Sequence, residues 1–139
     1  MQKYIKNHKR GRGIVWEVAP DVKKRLSHLV TSLDISWVKP TRVFCLRSFD
    51  AKTHAIARIW GLGKIWQGVL QVEAAYIVEV ISEKYDKLPE VEKDKVILHE
   101  ITHIPRNFSG ALAPHIRRGP RNFHRKLEVL VAQYFRSLK

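Results

Sequence analysis

Apolar residues recur along this chain with two periods, and the two mark out its elements. Val22, Leu26, Leu29, Val30 and Leu33 follow Pro20 at helical spacing, so an amphipathic helix is expected over 20–33. The short β-rich run 42–47 (RVFCLR) predicts a strand, with a turn at Ser48-Phe49-Asp50. Residues 54–60 place Ala55, Ala57 and Ile59 on one face and predict a second strand. Gly61, Gly63 and Gly68 then read as a loop or short hairpin holding Trp60 and Trp66. The clearest strand is AYIVEVI, 75–81. A turn from Asp86 to Pro89 leads into a helix that carries Glu90 and Glu92 in its first turn and ends near Ile104, because Pro105 follows. Residues 105–121 hold three prolines and two glycines and predict a loop. A final amphipathic helix from Asn122 to about Leu138 turns Phe123, Leu127, Leu130, Val131, Tyr134 and Phe135 toward the core.

Composition narrows the class. At 139 residues and 45% apolar content the chain makes one domain, read as 14–139, behind a basic flexible arm over 1–13. Its single cysteine, Cys45, excludes a disulfide scaffold, and no apolar run is long enough to span a bilayer. A free thiol and no secretory leader point to the cytoplasm, with no membrane partner.

The net charge is +13, and it is unevenly spread. Residues 1–13 carry five Lys/Arg and no acid, and residues 101–139 carry eight against the single Glu128, whereas 73–100 hold eight acids. Basic ends of this kind suit a nucleic-acid partner, although no recognition motif accompanies them.

The chemistry concentrates in VILHEITHIP, residues 96–105. His99 and His103 lie four apart, on one face of the expected helix, so both imidazoles can reach one Zn2+ ion. Glu100 sits beside them, placed to act as general base on a zinc-activated water. The surrounding Val96, Ile97, Leu98, Ile101 and Ile104 make a charged glutamate costly there unless a metal or partner compensates. A third protein ligand is needed, and three residues are candidates: His115, on the Pro/Gly loop that can fold back over the helix, and His124 or Glu128 on the last helix. The loop geometry favours His115. The strand before the helix offers Tyr76, Ile77 and Val78 as substrate-binding positions, through its backbone edge.

The stretch from about Tyr76 to Tyr134 resembles the phage-type metallopeptidase family. The likeness lies in YIVEVISEKYDKLPEVEKDKVILHEITHIP followed by FSGALAPH, where an acidic, Leu-containing turn leads into the metal helix, HIP ends it and a Gly-x-Leu-x-x-His loop follows. The resemblance implies zinc ligands at His99, His103 and His115, Glu100 as catalytic acid/base, and a zincin-like α+β fold. In that fold a small mixed sheet packs on an N-terminal helix, the HExxH helix and a C-terminal helix. A looser similarity to SprT-like proteases would add action near DNA, but the His-Gly that usually marks their third ligand is replaced by His115-Ile116, and zinc-ribbon cysteines are absent. The expected activity is therefore zinc-dependent hydrolysis of a protein or peptide. Two other readings stand beside it: a basic nucleic-acid-associated protein with a structural metal, and a zinc hydrolase acting on non-peptide substrates.

Overall fold

Val78 and Val80 have no exposed surface, and their strand lies inside a sheet rather than at its border. The computed structural model describes residues 4–5, 13–115, 119 and 122–139. Strands β1 (Tyr4–Ile5), β2 (Val15–Val18), β3 (Val43–Phe49), β4 (Ala57–Gly61) and β5 (Tyr76–Ile81) form one sheet in the order β1-β2-β3-β5-β4. The β3–β5 pair is parallel and the other pairs are antiparallel. A parallel pair needs a crossover, and here the chain passes from β3 out to β4 and returns to insert β5 between them.

One face of this sheet carries the core. Val43 and Cys45 of β3, Tyr76, Val78 and Val80 of β5, and Ala57 of β4 pack with Val22, Leu26 and Leu29 of α1 (Pro20–Ser32) and Ile97, Leu98 and Ile101 of α4 (Glu90–Thr102). Helix α5 (Phe123–Ser137) adds Leu130 and Tyr134. Tyr134 donates to Asp94 Oδ2 at 2.6 Å, and Arg25 Nη1 donates to Asp94 Oδ1 at 2.8 Å, so one carboxylate joins α1, α4 and α5. The architecture is the expected α+β, with a mixed sheet on three helices.

The opposite face holds a polar cluster in an aromatic setting. Glu79 is 1% exposed on β5, and its carboxylate accepts from Arg58 Nε at 2.7 Å, Trp60 Nε1 at 2.9 Å and Trp16 Nε1 at 3.3 Å. Burial by itself would raise this carboxyl's pKa; the Arg58 and Trp60 bonds outweigh it and hold the group below the usual carboxylate value.

Several expectations need correction. Strand β3 runs through Phe49, beyond the turn expected at 48–50, because β2 pairs with it as far as Val15–Phe49. Strand β4 begins at Ala57 rather than residue 54. The glycine-punctuated segment is not a hairpin: Lys64–Leu70 form a helix, α2, opened by Gly63 and closed by Gln71 at φ 54°. A four-residue helix, α3 (Ser82–Tyr85), precedes α4, and α4 itself ends at Thr102. Within the basic arm, Tyr4 and Ile5 pair with Glu17 and Trp16; residues 1–3 and 6–12 lie outside the described residues.

Candidate metal centre

Helix α4 sets the first two histidines. His99 is in its last turn, and His103 is its C-cap, with its N–H donating to the carbonyl of Glu100 at 3.1 Å. The chain then turns at Pro105 and returns as an extended segment that is bound to the helix end at two points. Ala113 N–H donates to the His103 carbonyl at 2.7 Å, and His103 Nδ1 donates to the Ala113 carbonyl at 2.6 Å. A carbonyl can only accept, so the proton of neutral His103 is on Nδ1 and the lone pair is on Nε2.

That return brings His115 to the pair. The imidazole ligand atoms of His99, His103 and His115 all lie within 4.8 Å of one another, and the Nε2 atoms of His99 and His115 are 3.2 Å apart. Two nitrogens bound tetrahedrally at ~2.0–2.1 Å from one ion would be about 3.3 Å apart, so this donor set fits a metal. The charge balance fits as well. Burial, followed by the nearby His103 and His115, pushes His99 down to about 4, and burial also lowers His103. Both imidazoles are neutral at neutral pH, the form in which a histidine can bind a metal.

Glu100 is 7% exposed and borders the same space. Burial raises its carboxyl to about 8. Its carboxyl makes no hydrogen bond or ion pair among the described residues, so a nearby cation is the compensation its position lacks.

The cluster opens on a cleft of about 1120 Å³ between the β4 side of the sheet, α4 and α5. Its walls are largely apolar, with Ile56, Ile59, Val96, Leu112, Leu127 and Val131 among them. A cavity of this size accommodates several residues of a polypeptide.

The other expected ligands are placed elsewhere. His124 Nε2 and Glu128 Oε1 lie 2.9 Å apart on the exposed side of α5, paired with each other and not with His99 or His103. The substrate role expected for Tyr76, Ile77 and Val78 is also corrected. Their strand β5 is hydrogen-bonded on both sides, to β3 and to β4, so its backbone edges are taken. Among the described residues, the free edge on this side of the sheet belongs to β4. The Tyr76 phenol has another use: it donates to Ala111 O at 2.7 Å and accepts from Gly110 N–H at 2.8 Å, bracing the loop that leads to His115.

Two contributions were not legible in the sequence. Phe123 follows the helical apolar stripe and so reads as core, but its ring centroid lies 5.1, 4.5 and 4.6 Å from those of His99, His103 and His115. It is the buried floor against which all three imidazoles pack. Gly110 (φ 95°) crosses Gly61 so closely that a Cβ on either would lie 2.1 Å from a backbone oxygen of the other strand of chain. Only glycines permit that crossing.

These features place the chain in a class: small α+β proteins whose three-histidine cluster could hold a metal ion in the wall of a substrate-sized cleft. A family model described as "putative phage metallopeptidase" matches residues 14–128, and the chain belongs to that family. No curated protein and no solved structure matches the chain. Among the described residues no helix is long and apolar enough to cross a membrane.

Proposed function

We propose that this metallopeptidase is zinc-dependent, with His99, His103 and His115 as the protein ligands and Glu100 as general acid/base. The convergence of three imidazoles beside a buried carboxyl carries this reading. An all-imidazole set suits zinc, and three protein ligands leave a fourth position for water or substrate. When bound, zinc would polarise the substrate carbonyl and lower the pKa of water toward ~7.

The chain's own residues supply the remaining functions. The free edge of β4 offers backbone N–H and C=O groups along the cleft, where an extended substrate can add as a further strand. A Glu100 carboxylate oxygen takes a proton from the attacking water as its oxygen bonds to the scissile carbonyl carbon. The same oxygen returns that proton to the amide nitrogen as the C–N bond breaks. The Ala113 carbonyl holds the His103 proton on Nδ1 throughout, and Phe123 excludes water from beneath the imidazoles.

The test is Glu100→Gln in zinc-loaded protein, with metal content measured by elemental analysis and cleavage followed on unfolded protein and peptide substrates. Metal should stay stoichiometric while turnover falls by roughly 10²–10⁴. Undiminished turnover in the variant would remove Glu100 from the chemistry. A wild-type protein that holds zinc and cleaves no peptide bond would overturn the peptidase reading itself.

A further inference from the structure

Helix α2 is built inside out. Its polar residue Gln67 faces the protein, where Nε2 donates to Leu62 O at 2.7 Å and to Ser109 O at 2.8 Å, while Lys64 at its start is exposed. Its apolar residues face solvent, with Ile65 76%, Trp66 59%, Val69 73% and Leu70 54% exposed, and Val72 just after it 42%. On a helix, Ile65 and Val69 lie opposite Gln67, so the outward direction of the apolar side follows from the inward amide. Isolated exposed apolar residues are ordinary, but five large ones within eight positions form a patch that marks an interaction surface. The helix does not hold itself in place by burial; the Gln67 bonds and the Gly61–Gly110 crossing clasp it to the fold.

What the patch takes follows from its charge and its place. Lys64 is the one charged residue from Gly61 to Val72, in a chain of net charge +13. At the border Arg42 donates to the backbone carbonyls of Glu73 and Ala74, at 2.8 and 3.2 Å, which sets a guanidinium beside Glu73 at the end of the patch. A basic partner is therefore disfavoured and an acid-bearing one favoured. The patch begins three residues beyond β4, whose free edge borders the cleft, and Gln67 touches the loop that carries His115. A strand laid along β4 would run out onto α2.

We propose that α2 is a docking site for an apolar, acid-bearing segment of the polypeptide substrate, lying beyond the residues held in the cleft. The proposal rests on the peptidase reading, since it assigns the site its kind of substrate. Specificity then comes from two contacts: backbone pairing on β4, which is indifferent to side chains, and α2, which selects by them.

The test uses the double variant Ile65→Ser/Val69→Ser, whose side chains are exposed and whose loss leaves the core intact. Binding of fluorescein-labelled casein, an unfolded, acidic and apolar-rich polypeptide, is read by anisotropy in a Glu100→Gln background so that cleavage plays no part. The double variant should bind casein about tenfold more weakly, and protamine, a basic polypeptide, should bind poorly to both proteins. In the Glu100 background KM for casein should rise by a similar factor with kcat unchanged, and a four-residue peptide, too short to reach α2, should be cleaved equally by both. Equal casein binding by the two proteins would overturn the proposal. So would a dimer in sedimentation that the double variant turns into monomer, or α2-dependent sedimentation with phosphatidylserine vesicles, each of which assigns the patch another occupant. Absence of cleavage of both casein and the short peptide by wild type would sink the peptidase reading instead, and the anisotropy result would be read independently of it.

Discussion

His103 and Ala113 are joined twice, backbone N–H to carbonyl at 2.7 Å and imidazole Nδ1 to carbonyl at 2.6 Å, and this pairing delivers His115 two residues later to the side of His99. A loop position thus acquires the precision of a sheet register. His115→Ala should therefore cost metal affinity far more than the ~10–100-fold typical of losing a residue that merely supports a ligand. His124→Ala and Glu128→Ala should leave affinity unchanged, since those side chains pair with each other at the surface. Chelator-competition titration of the three variants checks this. Loss of metal in His124→Ala with retention in His115→Ala would reverse the assignment.

The loop's conformation is enforced at Gly110. An Ala there would face φ 95° and place its Cβ 2.1 Å from the Leu62 carbonyl oxygen and 2.4 Å from Gln67 Nε2. Gly110→Ala should lose about 2 kcal/mol or more in urea unfolding and weaken metal binding as well, because the displaced loop carries Ala113 and His115. Gly68→Ala is the control: it lies within α2 with nothing inside 4 Å, so it should be neutral or stabilise by about 0.5–1 kcal/mol. Equal effects at the two glycines would show that crowding at Gly110 is relieved elsewhere.

Phe123 couples α5 to the three-histidine cluster through its contacts with the imidazoles. Truncation to Ala should cost ~3–5 kcal/mol of stability, as a buried aromatic does. Phe123→Leu keeps most of the buried volume but loses the flat ring, so it should fold and bind metal roughly 10–100-fold more weakly. Melting temperature in the presence of chelator separates the two effects. Should Phe123→Leu bind metal as tightly as wild type, the ring would be only a core residue.

Much of this protein was legible because the relevant chemistry is local. The 3.6-residue period placed α1, α4 and α5 and put His99 and His103 on one face with no tertiary information. What escaped depends on distant partners. β2 is four residues long, and pairing with β1 and β3 makes it a strand. The insertion of β5 between β3 and β4 is a topological fact that no window of sequence contains, and it moved the free edge from Tyr76–Val78 to Ala57–Gly61. Helix α2 was hidden by its own glycines and by an apolar stripe that faces outward. The charge pattern was visible, but its meaning was not. Arg25 and Arg47 are taken up by Glu90, Asp94, Asp21 and Asp86, while Arg117, Arg118, Arg121 and most of the basic arm lie outside the described residues.

The Glu79 cluster yields a prediction about acid. Its folded pKa lies below the ordinary carboxylate value, so the group contributes stability that is fully present above the unfolded value near 4.5 and is lost as pH falls through the lower, folded one. Glu79→Gln has no proton to take up. The stability difference between wild type and Glu79→Gln should thus be constant above about pH 5.5 and shrink steadily below the unfolded value near 4.5. Arg58→Ala leaves a 1% exposed carboxylate without its cation. Because Arg58 is itself a third exposed, the cost at pH 7 should fall between that of a surface pair and a buried one, about 2–3 kcal/mol, and should be partly relieved on acidification as Glu79 becomes neutral. Urea unfolding followed by tryptophan fluorescence at pH 7, 5, 4 and 3 measures both, since Trp16 and Trp60 donate directly to this carboxylate. A wild-type advantage over Glu79→Gln that grew on acidification would mean that burial, and not the Arg58 and indole bonds, governs the group.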